Sequence, residues 1–254
     1  MANISDIGKQ VYESPKVARF YVRSNEISPP EQTILNLLDT KLPEMHMLDV
    51  GVGAGRTTKF FATKTKTYLG IDFSNSMIEA CKSQFPKVDF RLADARSLPF
   101  FDLGQFDFVL FSFNGIDCLN IDDRKAVLSE MRRITSKDGF FCFSAHNINS
   151  VNRQLNFNLR KVLGTFGYEP LRYCLINSKN KKMLKELNQK GMVYFKDGSH
   201  GFDMENCYIR ADEQIKQLTA CGFTKMRIFD LSGNEISLEQ ANQSNDYWLY
   251  YLCQ

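Results

Sequence analysis

A chain of 254 residues with 43% hydrophobic content is long enough to bury one large core, alone or with an insertion. A net charge of +3 is too mild to argue for nucleic acid, and no stretch approaches the roughly 18 apolar residues of a membrane span. The N-terminus MANISDIGKQVYESPK has no apolar signal core, so a cytoplasmic protein is expected, with seven cysteines, none in a C-x-x-C pair, reduced and mostly buried.

Taken in chain order, a first helix is expected from Pro29-Pro30 through Leu38, because proline suits a first helical turn. The apolar run from Met45 to Val52 reads as strand one, and TYLGID, Thr67 to Asp72, as strand two. A capping box, Ser76 with Glu79, opens the next helix. Strand three is expected over Val88 to Ala93. Strand four, FDFVLFSF from Phe106 to Phe113, is apolar on both faces and should be central. Asp122 should cap a helix carrying Val127, Met131 and Ile134 on one face. Asp138-Gly139 reads as a turn into strand five, Phe140 to Ala145. A polar, basic excursion follows. The chain then closes with a helix from Asp212 to Cys221 stopped by Gly222, a strand over Met226 to Leu231 and another over Tyr247 to Leu252. Strands alternating with amphipathic helices predict a parallel sheet covered on both faces.

The stretch LDVGVGAGRTT ends strand one with three glycines at alternate positions, Gly51, Gly53 and Gly55. Such a turn lets a backbone approach a nucleotide closely. For a dinucleotide, the third glycine of G-x-G-x-x-G falls on Arg56, which cannot give close helix–strand packing, and Asp49 would repel a pyrophosphate. S-adenosylmethionine, a cation without phosphate, suits carboxylates. Asp49 can face its amino group, Asp72 its ribose hydroxyls, Phe73 the adenine face, and Asp94, beside the Ala95 backbone, the adenine amino group. All three acids end strands at the carboxyl edge of the sheet, where open α/β sheets bind ligands.

In order and spacing, DVGVGAG (49–55), GIDFS (70–74), LADARSLPF (92–100), FDFVLFSFNGID (106–117), RRITSKDGFFCFSAHN (132–147) and YIRADEQIKQLTACGF (208–223) resemble the class I S-adenosylmethionine-dependent methyltransferases. The resemblance implies a Rossmann-like α/β fold with a seven-stranded sheet in order 3-2-1-4-5-7-6, the last strand antiparallel, helices on both faces and a basic insertion after strand five. It implies one domain over 1–254, an N-terminal segment (1–28) covering the cofactor and an insertion (148–205) as a lid over the acceptor. It implies that Phe111 and Ser112 serve the methionine portion. Arg23, beside Tyr12 and Tyr21, is expected to meet the cofactor carboxylate.

On the acceptor side, Asn114 and Asp117 follow strand four and should border the methyl group, with Phe113 beside them. His146 ends strand five, where a histidine can act as a general base for a hydroxyl. Tyr208 and His200 lie where the excursion returns and are candidates to line the acceptor pocket. Between 150 and 199 the chain carries ten Lys or Arg against three acids, which reads either as a solvated lid or as attraction for an anionic acceptor such as a nucleotide-linked sugar. The three scattered histidines give no metal-ligand cluster. The expected activity is methyl transfer to an oxygen or nitrogen of a small metabolite. RNA or protein as acceptor, and a dinucleotide oxidoreductase or non-catalytic cofactor-binding protein, are the alternatives. The oligomeric state is left open.

Overall fold

The computed structural model describes residues 4–14, 17, 21–22, 26–155, 168–187, 189–202 and 204–254; of residues 5, 9, 168–170 and 200–201 the backbone alone is described. Ten strands form one sheet among these residues: β1 (His46–Val50), β2 (Thr67–Asp72), β3 (Asp89–Leu92), β4 (Phe106–Phe111), β5 (Thr135–Asn147), β6 (Met192–Phe195), β7 (Asn206–Ile209), β8 (Met226–Phe229), β9 (Glu235–Ile236) and β10 (Trp248–Cys253). The main path runs β3-β2-β1-β4-β5-β10-β8-β9. Strands β1 to β5 pair in parallel, and β10 runs antiparallel between β5 and β8. The expected order is therefore present, but the expectation of seven strands is corrected. β9 adds a hairpin beyond β8, β6 comes from the excursion, and β7 follows directly after it.

Adjacent residues of the central strands face opposite layers, which is why these strands read as unbroken apolar runs. On one side, Leu48, Val109, Phe111, Phe141 and Phe143 pack with Val127, Leu128, Met131 and Ile134 of the helix Ile121–Ile134 and with Leu218 of Ala211–Ala220. On the other, Met47, Phe108, Leu110, Cys142, Tyr250 and Leu252 pack on Ile34, Leu35 and Leu38 of Pro29–Leu38 and on Phe61 of the short helix Thr58–Phe61. In chain order these helices are α2 (Pro29–Leu38), α3 (Thr58–Phe61), α4 (Asn75–Gln84), α5 (Ile121–Ile134), α6 (Ser150–Leu155), α7 (Tyr168–Lys179), α8 (Lys181–Glu186), α9 (Ala211–Ala220) and α10 (Leu238–Gln243), with α1 (Ile4–Tyr12) ahead of them.

Three local readings are corrected. Ser74, not Ser76, caps α4, accepting from the Met77 amide at 3.3 Å. Asn120, not Asp122, caps α5, its side-chain oxygen accepting from the amides of Asp122 and Asp123. Asp138-Gly139 lies inside β5 rather than in a turn before it. Phe106 faces Thr135 and Phe108 faces Phe140, so the intervening residues form a bulge that lets β5 start early. At its far end β5 outlasts β4, and β7 takes the vacated side in parallel, with His146 opposite Tyr208. The excursion is not wholly polar either: Val151, Ile176, Met183, Val193 and Phe195 bury a small core of their own against Tyr208.

The turn after β1 depends on glycine. Gly55 has φ +85°, and a Cβ there would lie 2.6 Å from the Phe85 ring and 3.3 Å from Cys81 Sγ. Gly55→Ala is expected to cost about 1–3 kcal/mol by strain and overpacking, read as a lower urea midpoint with an unchanged slope.

Candidate functional site

The carboxyl ends of β1, β2, β3 and β4 open into a cleft lined by Asp49, Gly51, Gly53, Arg56, Asp72, Phe73, Asp94, Ala95, Arg96, Phe111, Ser112 and Phe113, with Tyr12 and Tyr21 from the N-terminal segment. Gly51 and Gly53 hold φ of +60° and +56°, and a Cβ at Gly51 would meet the Phe111 ring at 2.8 Å. The turn is thus compressed against the cleft wall. Three of its amides have partners: Val52 donates to the Ile71 carbonyl, Gly55 to the Val52 carbonyl, and Gly53 to Asp72 Oδ2 at 2.9 Å. The Gly53 amide is thus held by a carboxylate, which would also repel a pyrophosphate.

Asp72 ends β2 and also accepts from the Ser74 amide at 2.8 Å. Burial pushes its carboxyl up to about 6 despite these two amides. Asp49 likewise is pushed up to about 6 by burial, although Thr57 Oγ1 and the Tyr68 hydroxyl, at 2.7 Å, both donate to it. Asp94 is more exposed and grips Arg96 through both carboxylate oxygens, while Arg96 also reaches Asp123.

These shifts give a signed prediction. A raised carboxyl stabilises the free fold most below the unfolded value of 3.8, and that contribution is lost as pH rises through about 6. Ligand hydroxyls and ammonium groups need the ionised form, so S-adenosylhomocysteine should bind roughly tenfold more tightly at pH 7 than at pH 5 and level off above. Isothermal calorimetry across that range checks it.

Arg56 carries no role that its place in the sequence alone reveals. It pairs with both oxygens of Glu31, at 2.5 and 2.6 Å, and lies 4.8 Å from the centre of the Phe113 ring. Ser112 Oγ donates to the same carboxylate, and the Tyr250 hydroxyl joins them at 3.1 Å from Ser112. Burial opposes the charge on Glu31, but Arg56 and Ser112 hold its carboxyl below the usual range. The available signals were the S-P-P-E start of α2, which forms a capping box between Ser28 and Glu31, and an arginine in the third glycine place.

Beyond β4 the backbone is strained. Phe113 and Asn114 take φ of +58° and +61°, rare for residues with side chains. Phe113 is 45% exposed. Behind it stand Asn114, Asp117 and His146. Asp117 is fully buried; its Oδ2 accepts from the His146 amide at 2.6 Å and lies 2.8 Å from His146 Nδ1. His146 Nε2 lies 3.4 Å from the Asn114 amide nitrogen. The imidazole, 16% exposed, stacks on Tyr208 with ring centres 4.6 Å apart. Tyr208 donates to Asp197 at 2.9 Å. Asn114 Oδ1 and Trp248 Nε1 are buried without a hydrogen-bond partner among the described residues, and the Trp248 ring lies 5.9 Å from Phe113 and 6.1 Å from His146.

The family model described as "Methyltransferase domain" matches residues 47–139, which run from β1 into β5. Over residues 47–139 the chain carries a methyltransferase domain. A demethylmenaquinone methyltransferase of Renibacterium salmoninarum is 35% identical over 98 residues, covering 39% of this chain and 40% of that protein. A malonyl-[acyl-carrier protein] O-methyltransferase of Hamiltonella defensa is 28% identical over 145 residues, 51% of this chain and 55% of its own. The chain thus spans well under two thirds of the curated relatives' length. Among solved structures, the 1,6-didemethyltoxoflavin-N1-methyltransferase of Burkholderia thailandensis, with S-adenosylhomocysteine bound, aligns with all of this chain and 90% of its own at 14% identity and a TM-score of 0.58. A Thermotoga maritima S-adenosylmethionine-dependent methyltransferase, described as a possible histamine N-methyltransferase, aligns with 96% of this chain and 98% of its own at 18% identity and a TM-score of 0.59. These two share the fold.

In the methyltransferase cleft the fold unites Asp49, Gly51, Gly53, Asp72, Phe73, Asp94, Ala95, Phe111, Ser112 and Phe113. Gly55 lies under the turn, against Phe85 and Cys81. Asn114, Asp117, His146 and Tyr208 form a second group behind Phe113. Asp117 has both oxygens engaged and reaches a ligand through His146 alone. Tyr208, 2% exposed, backs the imidazole. His200 lies on the turn Ser199–Phe202, its side chain outside the described residues, and Arg23 lies outside them altogether. Among the described residues no helix is long and apolar enough to cross a membrane, and no cluster of His, Cys, Asp or Glu is suited to a metal ion.

Proposed function

We propose that the protein transfers a methyl group from S-adenosylmethionine to a hydroxyl oxygen of a small molecule, with His146 removing the acceptor's proton. The observation that carries this reading is a cleft rich in carboxylates, one of which holds the Gly53 amide of the glycine turn, ending beside a histidine held by a buried aspartate. When bound, S-adenosylmethionine supplies an electrophilic methyl group on a sulfonium.

Asp72 would hold the ribose hydroxyls, already oriented by the Gly53 and Ser74 amides. Phe73, Asp94 and Ala95 would take the adenine, and Asp49 the amino group, directly or through water. Gly51, Gly53 and Gly55 give the turn its close approach. Phe111 and Ser112 would border the methionine portion, and Arg56, braced by Glu31, is placed in the cleft to meet the carboxylate expected of Arg23. Tyr12 and Tyr21 cover the site, with α1 tied to the start of α4 by Ser74 Oγ donating to the Tyr12 carbonyl at 2.9 Å. Exclusion of water and alignment by these groups supply much of the catalysis.

The acceptor would sit against Phe113, Asn114, His146 and Trp248. The partnerless Asn114 Oδ1 would take a hydrogen bond from it, and Trp248 Nε1 would give one. The excursion would close over it, and its exposed Lys181, Lys182 and Lys185 favour an anionic molecule. Nitrogen is the second reading, since the toxoflavin enzyme is named for an N1 position and the malonyl enzyme for an oxygen.

The test is incubation with methyl-labelled S-adenosylmethionine and fractionated metabolite extract. Label should pass into small molecules. Label confined to RNA or protein would overturn the acceptor class, and binding of NAD but not S-adenosylhomocysteine would overturn the cofactor.

A further inference from the structure

We infer that Arg124 is a positioning residue: it locks the neutral tautomer of His146 with the proton on Nδ1, leaving Nε2 as the basic nitrogen. The inference rests on the reading of His146 as the base. Arg124 lies on α5 and is fully buried. Its Nη1 donates to Asp117 Oδ1 at 2.6 Å and to the Ile116 carbonyl at 3.3 Å. Its Nη2 donates to Gln214 Oε1 and its Nε to Gln217 Oε1 at 3.4 Å, both on α9. Every guanidinium nitrogen thus has a partner. The second Asp117 oxygen meets the amide and Nδ1 of His146.

The chemistry follows from what each group can carry. A carboxyl group with no solvent exposure stays ionised only beside an opposing charge, and a guanidinium holds that charge at every accessible pH. An ionised Asp117 is an acceptor only, so the imidazole nitrogen facing it must bear hydrogen. Nε2 is then left with its lone pair. If the Arg124 charge is removed by substitution, nothing opposes a charge on the buried carboxyl, and a proton shared with the ring settles on Asp117 Oδ2, the oxygen facing Nδ1. It then donates to Nδ1, and the ring hydrogen moves to Nε2, where it blocks proton removal. The line Gln214–Arg124–Asp117–His146 also links α9, which follows β7 directly, to the imidazole. The wall holding Tyr208 and the base are therefore wired to one buried charge.

The experiment is ¹⁵N spectroscopy of histidine-labelled protein in the neutral-imidazole range, His146 being assigned by the signal lost in His146→Gln. The wild-type signal should be that of an Nδ1–H tautomer. In Arg124→Met it should move to Nε2–H or a mixture, with kcat falling at least about tenfold and affinity for S-adenosylhomocysteine unchanged within threefold. Arg124→Lys should restore the Nδ1–H signal. An Nε2–H tautomer in the wild type overturns the inference whatever the variants do, so a variant that fails to fold leaves it testable. An unchanged signal in a folded Arg124→Met overturns it too. Undiminished turnover in His146→Ala would remove the catalytic reading while leaving the tautomer lock visible, so the two failures are distinguishable.

Discussion

Replacement of His146 by alanine is expected to lower kcat by about 100-fold or more, with affinity for S-adenosylhomocysteine unchanged within threefold. The asymmetry follows from where the ring sits. It stands behind Phe113 and does not line the cofactor cleft, whose walls come from β1 to β4 and the N-terminal segment. Loss of the ring removes a proton acceptor and the stack on Tyr208, yet touches neither Asp72 nor Arg56. Steady-state turnover beside equilibrium binding separates the two effects. A fall below threefold in kcat would exclude His146 from proton removal. A fall in cofactor affinity of similar size would mean that the ring supports the cleft rather than the chemistry.

Asp72→Ala is expected to act in the opposite manner, weakening cofactor binding by about 1.5–3 kcal/mol through loss of charge-assisted hydrogen bonds to two hydroxyls. The side chain is 6% exposed and is gripped by two backbone amides, which hold it in place. The substitution also frees the Gly53 amide, which makes the turn more receptive to an anion. Calorimetry with S-adenosylhomocysteine should show the loss, and the rise in affinity between pH 5 and pH 7 should flatten. An unchanged dissociation constant would refute the ribose assignment.

Much of the donor half was legible because its chemistry is local. A glycine turn after an apolar strand, and an acid at the end of each of three successive strands, can be read from a few adjacent residues. The sheet order came from the resemblance rather than from periodicity. What escaped was long-range. Glu31 meets Arg56, Ser112 and Tyr250 across 25, 81 and 219 positions, and no window of sequence contains that network. Asp117 reads as an acid beside the methyl group, yet a burial partner seven positions on, Arg124, and another 29 on, His146, turn it into a support for the imidazole. The extra strands β6 and β7, one in the excursion and one just after it, are hidden in the sequence because Met192–Phe195 and Asn206–Ile209 are four residues each and gain their meaning only by pairing with each other and, for β7, with the overhang of β5. Asp138-Gly139 reads as a turn because the same dipeptide serves turns and bulges alike.

That overhang has a further consequence. The stretch matched by the methyltransferase family model ends at residue 139, while His146 and its ladder partner Tyr208 lie past it. On the proposed function, donor and acceptor would therefore meet separable portions of one sheet, joined through a single long strand. If the proposed function holds, exchanging the segment between that strand and α9 for one of different size and charge should change which acceptor is methylated and leave S-adenosylhomocysteine binding intact.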